Sequence, residues 1–389
     1  MVLARAGWVL AVCGACSFDH GWPGGGTGSD GSLPRDASMP MIDVPDGFVF
    51  MDAPIDARMC FGNFVNICLT TLPTGDMTVA GNTDINTDTG CPFVFMQNTG
   101  STLCGVVAKN ITITGRLRAN GPRPLVVIAT ETLTIAAGGM IDVGSYKVGN
   151  AEVVGAGAAT GSTLCGSPST GQGDNDMNGA GGGGGAGGSF AGKGGNGADG
   201  RLGGGGNGGN SANATGTPNY MRGGCRGTAG GSGNGNIAGG GAAGGGAVLV
   251  IAGTSITNNG HIRAGGMGGH EGSTESGGGG GGSGGMIVLD AMTIMNAGIL
   301  NANGGGGGEG GGQSAGEGGS SALDGTSAAS GGAINVNGGN GGQGSWTTTL
   351  GGAGGGTGTL GGGAGGGGAG AIRFYPAQAV GGTVSPNPT

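Results

Sequence analysis

Glycine occupies 111 of the 389 positions, much of it in unbroken runs such as Gly277–Gly282. That abundance sets narrow limits on the fold. Inside a helix glycine is about 1 kcal/mol worse than alanine, so an ordinary helical domain is excluded. Collagen needs glycine at every third residue with abundant proline, whereas this chain has 14 prolines and glycines in blocks. Charged residues make up 9% and aromatic residues 4%, which leaves neither a polyampholyte tail nor an aromatic core. A net charge of -8 with 14 Lys plus Arg offers no basic face to a nucleic acid. No apolar run approaches the roughly 18 residues of a spanning helix.

Between the glycine tracts a second kind of sequence recurs. "VIAGTSITNNGHIRAGG" (250–266) and "VLDAMTIMNAGILNANG" (288–304) align without gaps, with Ile256 over Ile294, Gly260 over Gly298, Ile262 over Leu300 and Ala264 over Ala302. "VIATETLTIAAGGMIDVG" (127–144) repeats the phrase with one extra residue, "NITITGRLRANG" (110–121) gives its second half, and "AIRFYPAQAVGGTVSP" (371–386) is a degenerate last copy. Short alternating runs of Val, Ile and Thr divided by glycine read as strand–turn–strand. One such unit cannot bury its apolar face alone, but stacked copies can. Stacking predicts two inward columns, Ile111–Leu133–Ile256–Ile294 and Leu117–Ile141–Ile262–Leu300. The expected fold is all-β, a short right-handed parallel β-helix. An immunoglobulin-like sandwich is the rival, and it predicts antiparallel hairpins. The phrases resemble coils of filamentous-haemagglutinin-type β-helices.

The glycine tracts enter each time after the second strand of one unit and before the first strand of the next. In a stack that is one corner, so the insertions are expected to leave side by side from a single edge. A flexible linker is one reading of them. The other is polyglycine-II, an extended helix of three residues per turn whose backbone groups are free to bond with close neighbours in antiparallel bundles. The tracts resemble the glycine-rich regions of the PGRS family and of the anaplastic-lymphoma-kinase receptor ectodomain, which implies ordered packing. The organisation expected is a signal peptide (1–15), an acidic Pro/Gly tether (16–58), first coils (59–145), a glycine insertion (146–246), further coils (247–303), a second long insertion (304–370), and a last strand with its tail (371–389).

The N-terminus, "MVLARAGWVLAVCGACSFDHG", has a basic residue, an apolar stretch, then small residues before a cysteine. It resembles a bacterial lipobox, with Cys16 the lipidated residue. Cleavage without lipidation is the simpler alternative. Six cysteines then remain: Cys60, Cys68, Cys91, Cys104, Cys165 and Cys225. An even count in an exported chain predicts disulfides, and pairing each with its sequence neighbour is the plainest arrangement.

Motifs for chemistry are sparse. "GGSFAGKG" (187–194) nearly spells a phosphate-binding loop, but Gly194 stands where Ser or Thr should hold magnesium. Asp174, Asp176 and Asn178 alternate as in the first half of an EF-hand loop; a polar turn competes with a Ca²⁺ site there, and no other cofactor is implied. His20, His261 and His270 lie far apart in the sequence, and the carboxylates are thinly spread, so no acid/base pair can be named and no enzyme is expected. The whole resembles glycine-rich surface lipoproteins of Gram-negative soil bacteria. That resemblance implies a location at the outer membrane through a lipid anchor, or outside the cell. A nearly uncharged β-helix with glycine-rich lobes is expected to have a structural or adhesive role. The partners expected are the membrane and either cell-surface polysaccharide or another surface protein. The rival is a protein that binds or processes polysaccharide, for which Trp346 and Tyr220 are the aromatics in the glycine tracts able to stack on sugar.

Overall fold

The computed structural model describes residues 59–149, 151–158, 165, 173–176, 180–201, 205–333, 337–354 and 360–389. The expected signal, the tether and Cys16 lie outside that set. The described residues form nineteen strands and no helix. Most strands pair in parallel, in three ladders. The first contains β6 (Leu103–Ala108), β9 (Leu125–Ala129), the first halves of β14 (Ala247–Asn258) and β16 (Met286–Asn296), and β18 (Ala371–Tyr375). The second contains β3 (Met77–Val79), β7 (Ile111–Ile113), β10 (Thr132–Ile135) and the second halves of β14 and β16. The third contains β4 (Asn82–Asn86), β8 (Arg116–Asn120), β11 (Met140–Asp142), β15 (His261–Arg263), β17 (Ile299–Asn301) and β19 (Thr383–Ser385). The long strands β14 and β16 join the first two ladders into one nine-stranded sheet, and the third is a separate six-stranded sheet.

Both predicted columns are present. Ile111 pairs with Leu133, Leu133 with Ile256 and Ile256 with Ile294; Leu117 pairs with Ile141, Ile141 with Ile262 and Ile262 with Leu300. A third column, Val106–Val127–Val250–Leu289–Phe374, faces the same interior. Burying each such aliphatic side chain contributes about 1.5–3 kcal/mol. The turns align as well. Met140, His261, Ile299 and Thr383 each donate an N–H, at 2.8–3.0 Å, to the carbonyl of Gly115, Gly139, Gly260 and Gly298 in the copy before. A Cβ on Gly260 or Gly298 would strike that carbonyl, which is why the turn is glycine.

The register departs from the gapless alignment in one place. A bulge between Ala252 and Ser255 shifts the first half of β14, so that Val250 pairs with Leu289 and Leu249 with Val288. A one-residue slip reverses the faces of a strand. The bulge therefore sends Leu289 inward, while Val288 joins Leu249 on the outer face. The copy at 127–144 holds two extra residues rather than one, both in its turn: 136–139 stand where the next copy has 259–260. The unit β3–β4 is a further copy that the sequence hid, because Met77 and Thr83 replace aliphatic residues in the two columns.

Among the strands of the described residues, antiparallel pairing joins β5 (Phe93–Phe95) to β6 and forms two hairpins, β1–β2 (Met59–Phe61 and Ile67–Leu69) and β12–β13 (Tyr146–Val148 and Ala151–Val153). The disulfides join Cys60 to Cys68, Cys91 to Cys104 and Cys165 to Cys225. The hairpin β1–β2 covers the outer face of the nine-stranded sheet. There Val65, Ile67 and Leu69 pack with Leu249, Ile251 and Val288. Its turn is fixed by the buried carboxylate of Asp290, which accepts the Asn63 and Phe64 N–H groups at 2.5 and 2.9 Å.

Candidate functional site

The three glycine tracts leave the third ladder at adjacent positions and return to the first. Val143 N donates to Arg263 O, Ala264 N to Asn301 O and Ala302 N to Ser385 O, while Gly246, Gly285 and Gly370 donate back to Val143, Ala264 and Ala302. The insertions therefore start and finish side by side. Their described parts are ordered by backbone bonds with a period of three. Gly182, Gly185 and Gly188 donate to Glu275, Gly278 and Gly281. Gly278, Gly281 and Gly284 donate to Gly362, Gly365 and Gly368, which in turn donate to Gly182, Gly185 and Gly188. The triangle is closed. Its members run parallel, whereas the sequence suggested an antiparallel bundle. The segments ending at Gly285 and Gly370 each feed a strand of one parallel ladder and must point the same way. Outgoing segments supply the antiparallel neighbours: Gly279, Gly282 and Gly285 donate to His270, Met267 and Ala264.

Each residue class of the 277–285 segment thus serves a different neighbour, as three residues per turn require. Adjacent segments are so close that a Cβ on Gly280 would overlap the Ala186 carbonyl, and one on Gly367 that of Gly282. Positive φ is not the reason for glycine at either position. The rare large residues act as keys: Phe190 and Met221, both fully buried, insert from the tracts into the outer apolar layer of the nine-stranded sheet.

Two charged clusters tie the tracts to the sheets. On the outer face of the third ladder the buried Asp142 carboxylate accepts from Arg118 Nη1 at 2.5 Å and from Arg263 Nη2 and Nε at 2.6 and 2.9 Å. The Tyr146 ring lies 4.1 and 5.4 Å from the two guanidinium carbons. Next along the same face, burial and then Arg263 push the His261 imidazole below its ordinary pKa, against the opposing pull of Asp142 and Asp324.

The second cluster joins the β12–β13 hairpin to the tracts. Glu152 accepts from Arg226 at 2.5 and 2.9 Å and lies 3.2 Å from His270 Nε2. Burial alone would raise the Glu152 pKa, but the hydrogen bonds and charges of His270 and Arg226 outweigh it and hold the carboxyl at about 2. A depressed carboxyl stabilises the fold fully above its unfolded pKa and loses that contribution as pH falls toward the folded value. Wild type is therefore expected to lose stability between about pH 4.5 and 2 more steeply than Glu152→Gln, read from urea midpoints across that range. Parallel slopes would remove this pair as an anchor.

Of the calcium candidate, two carboxylates are among the described residues, and both are engaged within the tracts. Asp174 accepts from Asn207 Nδ2 at 2.8 Å and Asp176 from Ala180 N; Asn178 lies outside the described residues. Among the described residues no group of three or more His, Cys, Asp or Glu could hold a metal ion. In "GGSFAGKG" the Gly187, Gly192 and Gly194 N–H groups are bound to Gly195, Ala369 and the Ser189 hydroxyl, so the loop presents no phosphate cradle. No protein-family model matches the chain, and no curated protein or solved structure is significantly similar to it. No helix among the described residues is long and apolar enough to cross a membrane. Trp346 donates Nε1–H to Gly325 O at 3.3 Å beside the six-stranded sheet, while Tyr220 packs on Gly100 beside the nine-stranded one. The two aromatics serve different faces.

Proposed function

We propose that this protein is a non-catalytic cell-surface lipoprotein, anchored through Cys16, whose body is a short right-handed parallel β-helix bearing a polyglycine-II lobe. Its role is structural or adhesive: a stiff, sparsely charged body that holds a contact surface away from the outer membrane. The observation that carries the reading is the closed triangle of backbone bonds among 182–188, 275–284 and 362–368. A lobe held this way gains rigidity from peptide groups alone, needs few charged or aromatic side chains, and leaves little slack chain for a protease. Three parallel ladders visited in a fixed order support the β-helix, and the small residues before Cys16 support the anchor.

Palmitate labelling and attachment assays on cells expressing the full-length protein or Cys16→Ser test both halves. The label is expected on wild type and absent from Cys16→Ser, and attachment to a polysaccharide-coated surface is expected to fall when the protein is deleted. Unchanged labelling removes Cys16 as the anchor; unchanged attachment removes the contact role.

A further inference from the structure

The outer face of the nine-stranded sheet carries a groove of about 200 Å³ between the tip of the β1–β2 hairpin and the loops at 96–99 and 219–220. Val65 is its buried floor. Phe64 and Tyr220 contribute aromatic rings, Asn66, Asn98 and Asn219 contribute amides, and no charged side chain lines it. The Asn98 and Asn219 amides make no hydrogen bond to the described residues. Asn66 Oδ1 sits 3.3 Å from Cys68 Sγ, which has no hydrogen to give because it is in a disulfide.

The walls are held in place from behind. Gln97 clamps one loop to the next: its Nε2 donates to Ser101 O and Met221 O at 2.7 and 3.0 Å, and its Oε1 accepts Met221 N–H at 2.9 Å. The Tyr220 ring is seated on Gly100, where any Cβ would collide with it. Phe64 is fixed by its N–H bond to Asp290 and by its ring lying 5.4 Å from that of Tyr375. A preorganised groove loses little entropy when it is filled.

From this arrangement we infer that the groove binds a neutral saccharide. Unspent amides can each give and take hydrogen bonds with neighbouring hydroxyls. Aromatic rings offer apolar surface to the C–H faces of a sugar ring. An uncharged lining offers no direct ion pair to an ionised ligand stripped of water; the guanidinium behind Phe64, that of Arg373, is engaged by the Pro218 and Thr217 carbonyls. The inference rests on the surface-contact reading above and names what the surface contacts.

The test is an array of neutral hexasaccharides (β-glucan, α-glucan, xylan and chitin) with polygalacturonate and alginate oligomers as anionic arms, probed with full-length wild type and with Asn98→Ala/Asn219→Ala. Both positions are exposed, so the double variant is expected to keep the wild-type melting temperature. Binding to at least one neutral glycan is expected, weakened ten-fold or more in the double variant, with no binding to the anionic arms. Should the double variant melt early, Asn98→Leu/Asn219→Leu keeps the side-chain shape, removes every hydrogen-bonding atom of the two amides and is expected to lose binding equally. Absence of binding to every neutral glycan, binding that both variants retain, or preference for the anionic arms overturns the assignment. Surface labelling and attachment of the same variants on cells keep the outcomes distinct. Attachment that persists without array binding sinks the groove alone, whereas a protein missing from the cell surface sinks the broader reading.

Discussion

Gly280→Ala is expected to destabilise the protein by about 1–3 kcal/mol, the range for forcing an extra methyl into a packed interior. Gly280 is fully enclosed: its N–H bonds Thr228 O at 2.8 Å, and its α-carbon faces the Ala186 carbonyl without room for a Cβ. Accommodating one methyl must push apart two segments that share a ladder of backbone bonds. A flexible linker predicts the opposite sign, because alanine in place of glycine stiffens the unfolded chain and stabilises by about 0.4–1 kcal/mol where the native backbone permits it. Gly216, with open space where its Cβ would be, is a poor control because its φ of +73° already disfavours alanine. Gly240, with no backbone nearby and only the His270 ring at 3.6 Å, is the better one and is expected to tolerate alanine with little change. Urea unfolding of the two variants decides the matter. Equal stability of Gly280→Ala and Gly240→Ala would mean that the close-packed lobe does not contribute to the fold.

Asp142→Ala is expected to cost more, about 3–5 kcal/mol, the range for removing one partner of a buried ion pair. Its carboxylate is the shared acceptor for Arg118 and Arg263, one copy apart on either side in the third ladder, and also takes the Gly144 N–H at 3.0 Å. Without it two guanidinium groups remain, packed on Tyr146 with no anion between them. The triple change Asp142→Leu, Arg118→Met, Arg263→Met is expected to recover most of the loss, since replacing a buried ionic group by apolar residues of similar size is often neutral or better. If Asp142→Ala alone unfolds at the wild-type urea concentration, this charged layer does not support the third ladder.

Much of the architecture was legible because aliphatic spacing and turn glycines carry their own physics. Ile256 and Ile294, or Ile262 and Leu300, could be placed opposite each other before any coordinates, since only one register buries both columns. The same spacing did not reveal β3–β4, where Met77 and Thr83 occupy those columns, nor the bulge at Gly253–Thr254, whose lone strand glycine is one among 111 in the chain. The clamp between Asp290 and the Asn63–Phe64 turn joins positions 227 and 226 residues apart, and nothing local in either segment announces it. The groove beside Tyr220 was half visible: the aromatic stood out in its glycine tract, but Phe64, Asn66 and Asn98 come from two other parts of the chain.

The glycine content and the recurring aliphatic phrase, by themselves, determined that the described residues would be strands without helices and that the insertions would leave side by side. These are consequences of backbone cost and of side-chain period, both local quantities. Only the tertiary structure decided which way the tracts run and which carbonyl each N–H meets. A peptide group has the same donor and acceptor whatever its neighbours, so a run of glycines holds no information about its partner. That choice falls to the parallel ladders at the ends of each tract, which fix where every segment begins and the direction in which it must return.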